Sequence, residues 1–242
     1  VKTKDGEAVV HTNTFVNAAG PGQKKVSKLV GVELPVHAEL HMKVTIDDHL
    51  RVVPRDMPLT VWIDPIHLAW TEEEQTFLAD DEVSRWLLEE QPPISVARPE
   101  GAGDSTVLLM QWEVRHQPET PIFPLPIDPQ FPEYVLRGVA HMLPGLKAYF
   151  DNLPKPYVDG GYYIGTWENR PIIGSLGEIE GAYIIGALSG IGMQISPAAG
   201  ELLADHIVGA SLPDYAPAFL LDRFNDPDYL KLMEEWGLTW NL

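Results

Sequence analysis

Gly186, Gly190, Gly192 and Gly200 punctuate a stretch, residues 186–200, that reads as a strand feeding a helix through a glycine turn. A junction of this kind turns unpaired backbone N–H groups and the positive end of the helix dipole toward whatever fills the crevice before it. It suits an anionic or electron-rich group, and the plainer alternative is close packing of strand on helix. A second candidate lies at Asn17, Ala18, Ala19, Gly20, Pro21 and Gly22. There a β-rich segment with Val9, Val10, Phe15 and Val16 stops in small residues that let backbone approach a ligand. No Walker A motif or G-x-G-x-x-G fingerprint occurs, since Ile195 stands where the last glycine of such a fingerprint would fall. A complete nucleotide-phosphate cradle is therefore not encoded.

Other chemistry is set aside on its residues. His37, Glu39 and His41 would share one face of a strand and invite a metal reading. Their order is not that of an H-E-x-x-H helix, and the deaminase pattern needs cysteines that the chain lacks. No metal is expected. Ser189 has glycine on one side only and no histidine placed to activate it. The runs Glu72 to Glu74 and Glu89 to Glu90 read as solvated faces.

The elements that must hold these groups come from periodicity. Alternation over residues 36–46 and β-rich runs at 59–63 and 107–114 predict an antiparallel sheet. Val83, Trp86 and Leu87 predict a short helix opened by Asp80 and Asp81. Six prolines within residues 115–134 predict a crossing loop or lid. A helix from about Pro132 follows, with Val135, Leu136, Val139, Leu143 and Leu146 on its buried stripe and Pro144 at its end. Residues 182–187 predict a buried strand, 193–208 a helix closed by Gly209, and 229–236 an amphipathic helix.

With 242 residues, 45% of them hydrophobic, the chain is long enough for a sizeable core. Seventeen basic against 35 acidic residues leave a net charge of −18 spread along the chain, which disfavours nucleic acid and anionic lipid as partners. The absence of cysteine removes disulfides, Cys zinc sites, thiol nucleophiles and thioether-linked cofactors, and fits a reducing, cytoplasmic location. No apolar run is long enough for a membrane span. The chain opens without Met in what reads as a hairpin turning at Asp5 and Gly6, so the expectation is that its true N-terminus, with any targeting signal, lies outside this sequence.

Three segments taken in order resemble the D-amino acid oxidase and glycine/sarcosine oxidase-like family of FAD-dependent oxidoreductases. They are Phe15 to Pro21, Thr166 to Gly174 with its Pro171, Ile172, Ile173 and Gly174, and Leu188 to Gly192 continued through Pro197 and Gly200. The resemblance implies an α/β (α+β) chain in which a partial FAD-binding nucleotide domain, residues 1–22 and 159–210, flanks an antiparallel-sheet substrate or cap domain, residues 23–158. Residues 211–242 form a tail. Family members begin with a βαβ unit that binds the ADP part of FAD, and nothing here matches it. The chain thus resembles a C-terminal portion, and the expected partner is a missing N-terminal half or a partner subunit.

By the same resemblance, Gly190, Ile191, Gly192 and Met193 would sit at the pyrimidine end of the flavin ring, where helix N-terminal amides stabilise the negative charge of the reduced ring. Asn17, Ala18, Ala19 and Gly20 would line the nucleotide side. Arg170 would support the ring edge, or else be a solvated surface charge. Where the family holds a substrate carboxylate with a basic residue, this chain has Tyr163 and Gln194, which carry no charge. Tyr162 and Tyr163 could line an aromatic pocket for an amine or be half-buried strand aromatics, and Arg115 or His116 could meet a carboxylate or simply border the loop. The implied reaction is oxidation of a C–N bond in a small amine or N-substituted amino acid, with no catalytic side chain required. Noncatalytic assembly without flavin, and action on a hydroxy acid, are the alternatives.

Overall fold

The computed structural model describes residues 2–4, 6–112 and 117–236. The chain forms two compact units, one of residues 1–39, 118–121 and 162–242, the other of residues 40–117 and 122–161. In chain order the strands and α-helices are β1 (Lys2–Thr3), β2 (Gly6–Glu7), β3 (Phe15–Asn17), α1 (Gln23–Lys28), β4 (His37–Asp47), β5 (Thr60–Trp62), α2 (Glu72–Asp80), β6 (Ser95–Pro99), β7 (Val107–Trp112), α3 (Phe131–Met142), β8 (Tyr157–Gly165), β9 (Ile172–Ser175), β10 (Ala182–Gly186), α4 (Gly192–Val208) and α5 (Pro227–Trp236). The fold is mixed α/β, as expected. Among the described residues no helix is long and apolar enough to cross a membrane.

In the second unit a five-stranded sheet in the order β5-β6-β7-β4-β8 carries the core. Antiparallel registers Val44↔Met110 and Ile46↔Leu108, with Ala97↔Met110 beyond, place these residues on one buried face, while Lys43, Thr45 and Gln111 alternate to the other. Helix α3 covers the buried face with Val135, Leu136 and Val139, the stripe its spacing predicts. Pro144 ends it and opens a 3-10 turn over Pro144–Tyr149.

One helix lies elsewhere than predicted. Asp80 and Asp81 close α2 instead of opening a helix, and residues Arg85–Leu88 form only a 3-10 turn. Thr71 caps α2, accepting from Glu74 N while the Glu74 carboxylate accepts from Thr71 N, which is a complete capping box. The glutamate run is accordingly a helix first turn, and Glu74 is more than a solvated charge. With Glu133 it pairs to Arg137, whose guanidinium is buried and lies 3.9 Å over the Trp70 ring.

Tyr149 and Asp48 close the loop after β4. The phenol donates to Asp48 Oδ1 at 2.6 Å and accepts from Leu50 N, and both Asp48 oxygens accept backbone amides, from Val52 and Val53. Burial first, then the hydrogen bond to the Asp48 carboxylate, pushes the Tyr149 phenol up to about 12. A raised phenol favours the folded state below the ordinary tyrosine value, and this contribution is lost as pH climbs from about 10 through about 12. Unfolding titrations across that window should show stability falling in the wild type. In Tyr149→Phe the fall should be smaller, and equal slopes in the two proteins would remove Tyr149 as its source.

In the first unit β3 and β10 run parallel and β10 and β9 antiparallel, in the order β3-β10-β9. Helix α4 packs Ala199, Leu202 and Leu203 against Ile173, with Tyr183, Ile185 and Phe219 around them. It ends as its sequence predicts, at Gly209 in the left-handed conformation (φ 69°). This unit runs past the expected division at residue 22 because α1 stays fastened to β3 through Asn17, described below, and residues 211–236 pack within it.

Candidate functional site

Strand direction brings the candidate segments of the first unit together. Pairs Phe15↔Ala182 and Asn17↔Ile184 align β3 and β10 in parallel, so both chains leave the sheet at the same edge. Strand β9 runs back from that edge, since Ile172 pairs with Gly186. Residues 17–22, 166–171 and 187–192 therefore gather outside the carboxyl ends of the parallel strands, where open α/β sheets bind ligands.

Asn17 is 1% exposed and its side chain is wholly engaged in building the first turn. Its Nδ2 donates to Gln23 O at 2.9 Å and Ser27 Oγ at 2.7 Å, and its Oδ1 accepts from Ala19 N. What this segment offers a ligand is the backbone of Ala18 and Ala19, which are exposed, and of Gly20, held at φ +51°. Gln23, which the sequence reading missed, is buried beside this turn. Its carboxamide occupies the space over Gly186, where any Cβ would overlap Gln23 Oε1, and neither of its polar atoms has a hydrogen-bond partner. The lone signal in the sequence was a polar residue directly after a small-residue turn.

The junction from β10 to α4 is tightly wound. Ala187, Ser189 and Gly190 all adopt positive φ (54°, 46° and 81°), a conformation that costs the first two energy and that glycine adopts freely. Ser189 N donates to Ile164 O at 3.0 Å, and Gly190 lies so close to the Tyr163 ring that a Cβ would sit 2.5 Å from it. Ile191 N is committed to Leu188 O, and α4 begins with no side-chain cap. No hydrogen bond within the described residues engages the amides of Gly190, Gly192 or Met193. Met193 is 90% exposed and Gln194 is exposed. Pro197 removes one amide from the helix, and Ser196 Oγ donates to the Met193 carbonyl that this frees.

Thr166 fastens the third segment. Its hydroxyl, fully buried, accepts from Arg170 N at 3.0 Å and donates to Arg170 O at 2.8 Å. Arg170 O also accepts from Arg223 Nη2, and Arg223 in turn pairs with Glu168. Burial and the neighbouring Glu168 carboxylate push the Tyr229 phenol, which donates to that carboxylate, above its ordinary value. The Arg170 side chain is half-buried. Alternation along β8 separates the two tyrosines: Tyr162 is buried, and half-buried Tyr163 packs on Gly190. Arg115 and His116 lie outside the described residues. Of the three side chains weighed for a metal and set aside, His37 Nε2 and Glu39 Oε1 are 3.3 Å apart, and among the described residues no group of three or more such side chains could hold a metal ion.

No family model matches the sequence, and no curated protein matches it. Solved structures do match its fold. Glycine oxidase from Geobacillus kaustophilus aligns over 92% of this chain and 48% of its own, with a TM-score of 0.60 at 18% identity. Iminodiacetate oxidase from Chelativorans sp. BNC1 aligns over 90% and 48% (TM-score 0.59, 17% identity), and L-proline dehydrogenase from P. horikoshii over 93% and 50% (TM-score 0.58, 19% identity). The chain spans about half the length of each of these structures. Over that half, the chain has the fold of the amino acid oxidases that its three motif segments resemble.

Proposed function

We propose that this chain is the flavin-facing, C-terminal portion of an FAD-dependent oxidoreductase that oxidises the C–N bond of an amine or N-substituted amino acid. The observation that supports this best is the meeting of three small-residue segments at one sheet edge before a helix with no side-chain cap. The residues present fit a flavin. The unengaged amides of Gly190, Gly192 and Met193 and the positive end of α4 would hold the electron-rich pyrimidine edge of the ring. Ile191 would contribute through the turn that its own amide closes. The exposed backbone of Ala18, Ala19 and Gly20, shaped by Asn17, would let the nucleotide portion approach, and the turn ending in Arg170 would border the ring.

FAD, when bound, supplies acceptance of a hydride equivalent from the carbon next to nitrogen, after which the imine hydrolyses. This chain's own groups orient the reactants. Tyr163, held on Gly190, presents an aromatic wall to an amine, and exposed Gln194 offers an uncharged hydrogen bond. Tyr162, buried on the other face of β8, would anchor the strand that carries Tyr163, and Arg115 and His116 remain candidates for a carboxylate. The phosphate cradle would come from a preceding segment or a partner subunit.

Titration of the protein with FAD tests the reading. The flavin band near about 450 nm should shift on binding, and Gly190→Ala should weaken binding at least about tenfold, because its Cβ meets Tyr163 and its positive φ is strained. Equal FAD affinity in the wild type and the variant would remove the α4 turn from the site. In the flavin-loaded protein, sarcosine or glycine added without oxygen should bleach the band and lactate should not. Bleaching by lactate alone would move the assignment to C–O oxidation.

A further inference from the structure

A hollow of about 520 Å³ opens in the first unit beside the small-residue turn. Its lining includes Gln23, Lys24, Lys25, Lys28, His37 and Trp167. Three lysines at one concavity stand out in a chain with only 17 basic residues and a net charge of −18. Lys24 and Lys25 make no ion pair among the described residues, and Lys28 pairs only with exposed Glu33, at 3.1 Å. Glu119 is the one carboxylate in the lining, so cations prevail there.

Aromatic rings share the lining. His37 stacks on Trp167 with ring centroids 4.8 Å apart and planes at 30°, and Trp167 remains 54% exposed. Two buried polar groups in the lining lack partners: Nδ1 of His37, and the carboxamide of Gln23, a side chain only 1% exposed. Those atoms are sealed from solvent, so recognition in the hollow falls to the lysines and to the exposed Trp167 ring. The volume is in the range of small-molecule pockets.

We propose that this hollow binds a small aromatic anion, a flat ring carrying a phosphate or carboxylate, with the ring against Trp167 and the anionic group among Lys24, Lys25 and Lys28. A ring gains from stacking on the indole face, and a phosphate or carboxylate gains charge-assisted hydrogen bonds from ammonium groups. This site adjoins the proposed flavin edge, sharing Pro21 and Trp167 with segments 17–22 and 166–171, while its three lysines and His37 lie outside those segments and outside the turn at Gly190 to Met193.

Calorimetric titration of the flavin-free protein with phenyl phosphate, inorganic phosphate and phenol tests the proposal. Phenyl phosphate should bind at least tenfold more tightly than either control. The triple variant Lys24→Ala/Lys25→Ala/Lys28→Ala, with all three changes on the exposed side of a short helix, should lose tenfold or more, and Trp167→Ala should bring phenyl phosphate down to the level of inorganic phosphate. Lys43→Ala, distant in sequence and exposed, should leave binding unchanged. Absence of heat up to millimolar phenyl phosphate, equal affinity for phenyl and inorganic phosphate, or undiminished binding by the triple-lysine variant would each overturn it. The FAD titration above reads different residues and a different ligand, so either result can fail without the other.

Discussion

Arg223→Met is expected to lower the unfolding free energy by about 3–5 kcal/mol, the range for removing one partner of a buried ion pair. The guanidinium is 3% exposed and Glu168 5%. Nε and Nη2 of Arg223 donate to Glu168 Oε1 at 2.9 and 2.6 Å, Nη1 to Leu220 O at 2.9 Å, and Nη2 to Arg170 O at 2.9 Å. Glu168 Oε2 is already buried without a partner, so the carboxylate depends on Arg223 and on the Tyr229 hydroxyl, 3.0 Å from Oε1. Removing the cation strands a desolvated negative charge, and removing both charges does not. Urea unfolding should therefore show Arg223→Met/Glu168→Leu recovering much of the loss. A single-variant cost under about 1 kcal/mol would place the pair in the solvent-exposed class, where ion pairs contribute little.

The same pair reaches the candidate site. Arg170 O receives Thr166 Oγ1 from one side and Arg223 Nη2 from the other, so the turn bordering the sheet edge is pinned by residues of the tail. In the flavin reading, Arg223→Met should weaken FAD binding less than Gly190→Ala, since it loosens a supporting turn and leaves the amides of α4 in place.

Much of this arrangement is legible in sequence, and the reasons for the rest are physical. The turn before α4, the stripe of α3 and the left-handed Gly209 are local: glycine placement and a 3.6-residue period determine them wherever the chain goes. The position of α2 was also local, because Thr71 and Glu74 spell a capping box, but the acidic pair at Asp80 and Asp81 resembled a start signal and is a stop. What could not be read is long-range. Glu168 and Arg223 are 55 residues apart, and no spacing rule links them, so residues 211–242 read only as a tail. Gln23 is a polar residue in a six-residue helix, and only the approach of Gly186 shows that it is buried. For Asn17, resemblance pointed to a ligand contact, while its three hydrogen bonds go to its own turn and helix.

Trp112→Ala is expected to cost about 3–5 kcal/mol, as for other large aromatic truncations in a core. Trp112 is 1% exposed, its Nε1 donates to Pro92 O at 3.1 Å, and its ring fills the groove that Gly138 leaves in α3. A Cβ on Gly138 would stand 2.5 Å from Cε3 and 2.8 Å from Cδ2 and Cζ3 of the indole, and the hydrogen bond to Pro92 keeps the ring from sliding away. Gly138→Ala in the wild type should therefore be destabilising, by about 1–3 kcal/mol of overpacking set against a helix-propensity gain of up to about 1 kcal/mol. In the Trp112→Ala background the obstacle is gone and only the propensity gain remains. The sign should reverse there, with Gly138→Ala raising stability by up to about 1 kcal/mol. Urea midpoints of the four proteins measure this directly, and a Gly138→Ala effect of one sign in both backgrounds would mean that helix and indole do not share the groove. The reversal follows because the glycine is there for its neighbour: the helix accepts a poor local residue so that the largest buried side chain of the sheet can lie flat against it.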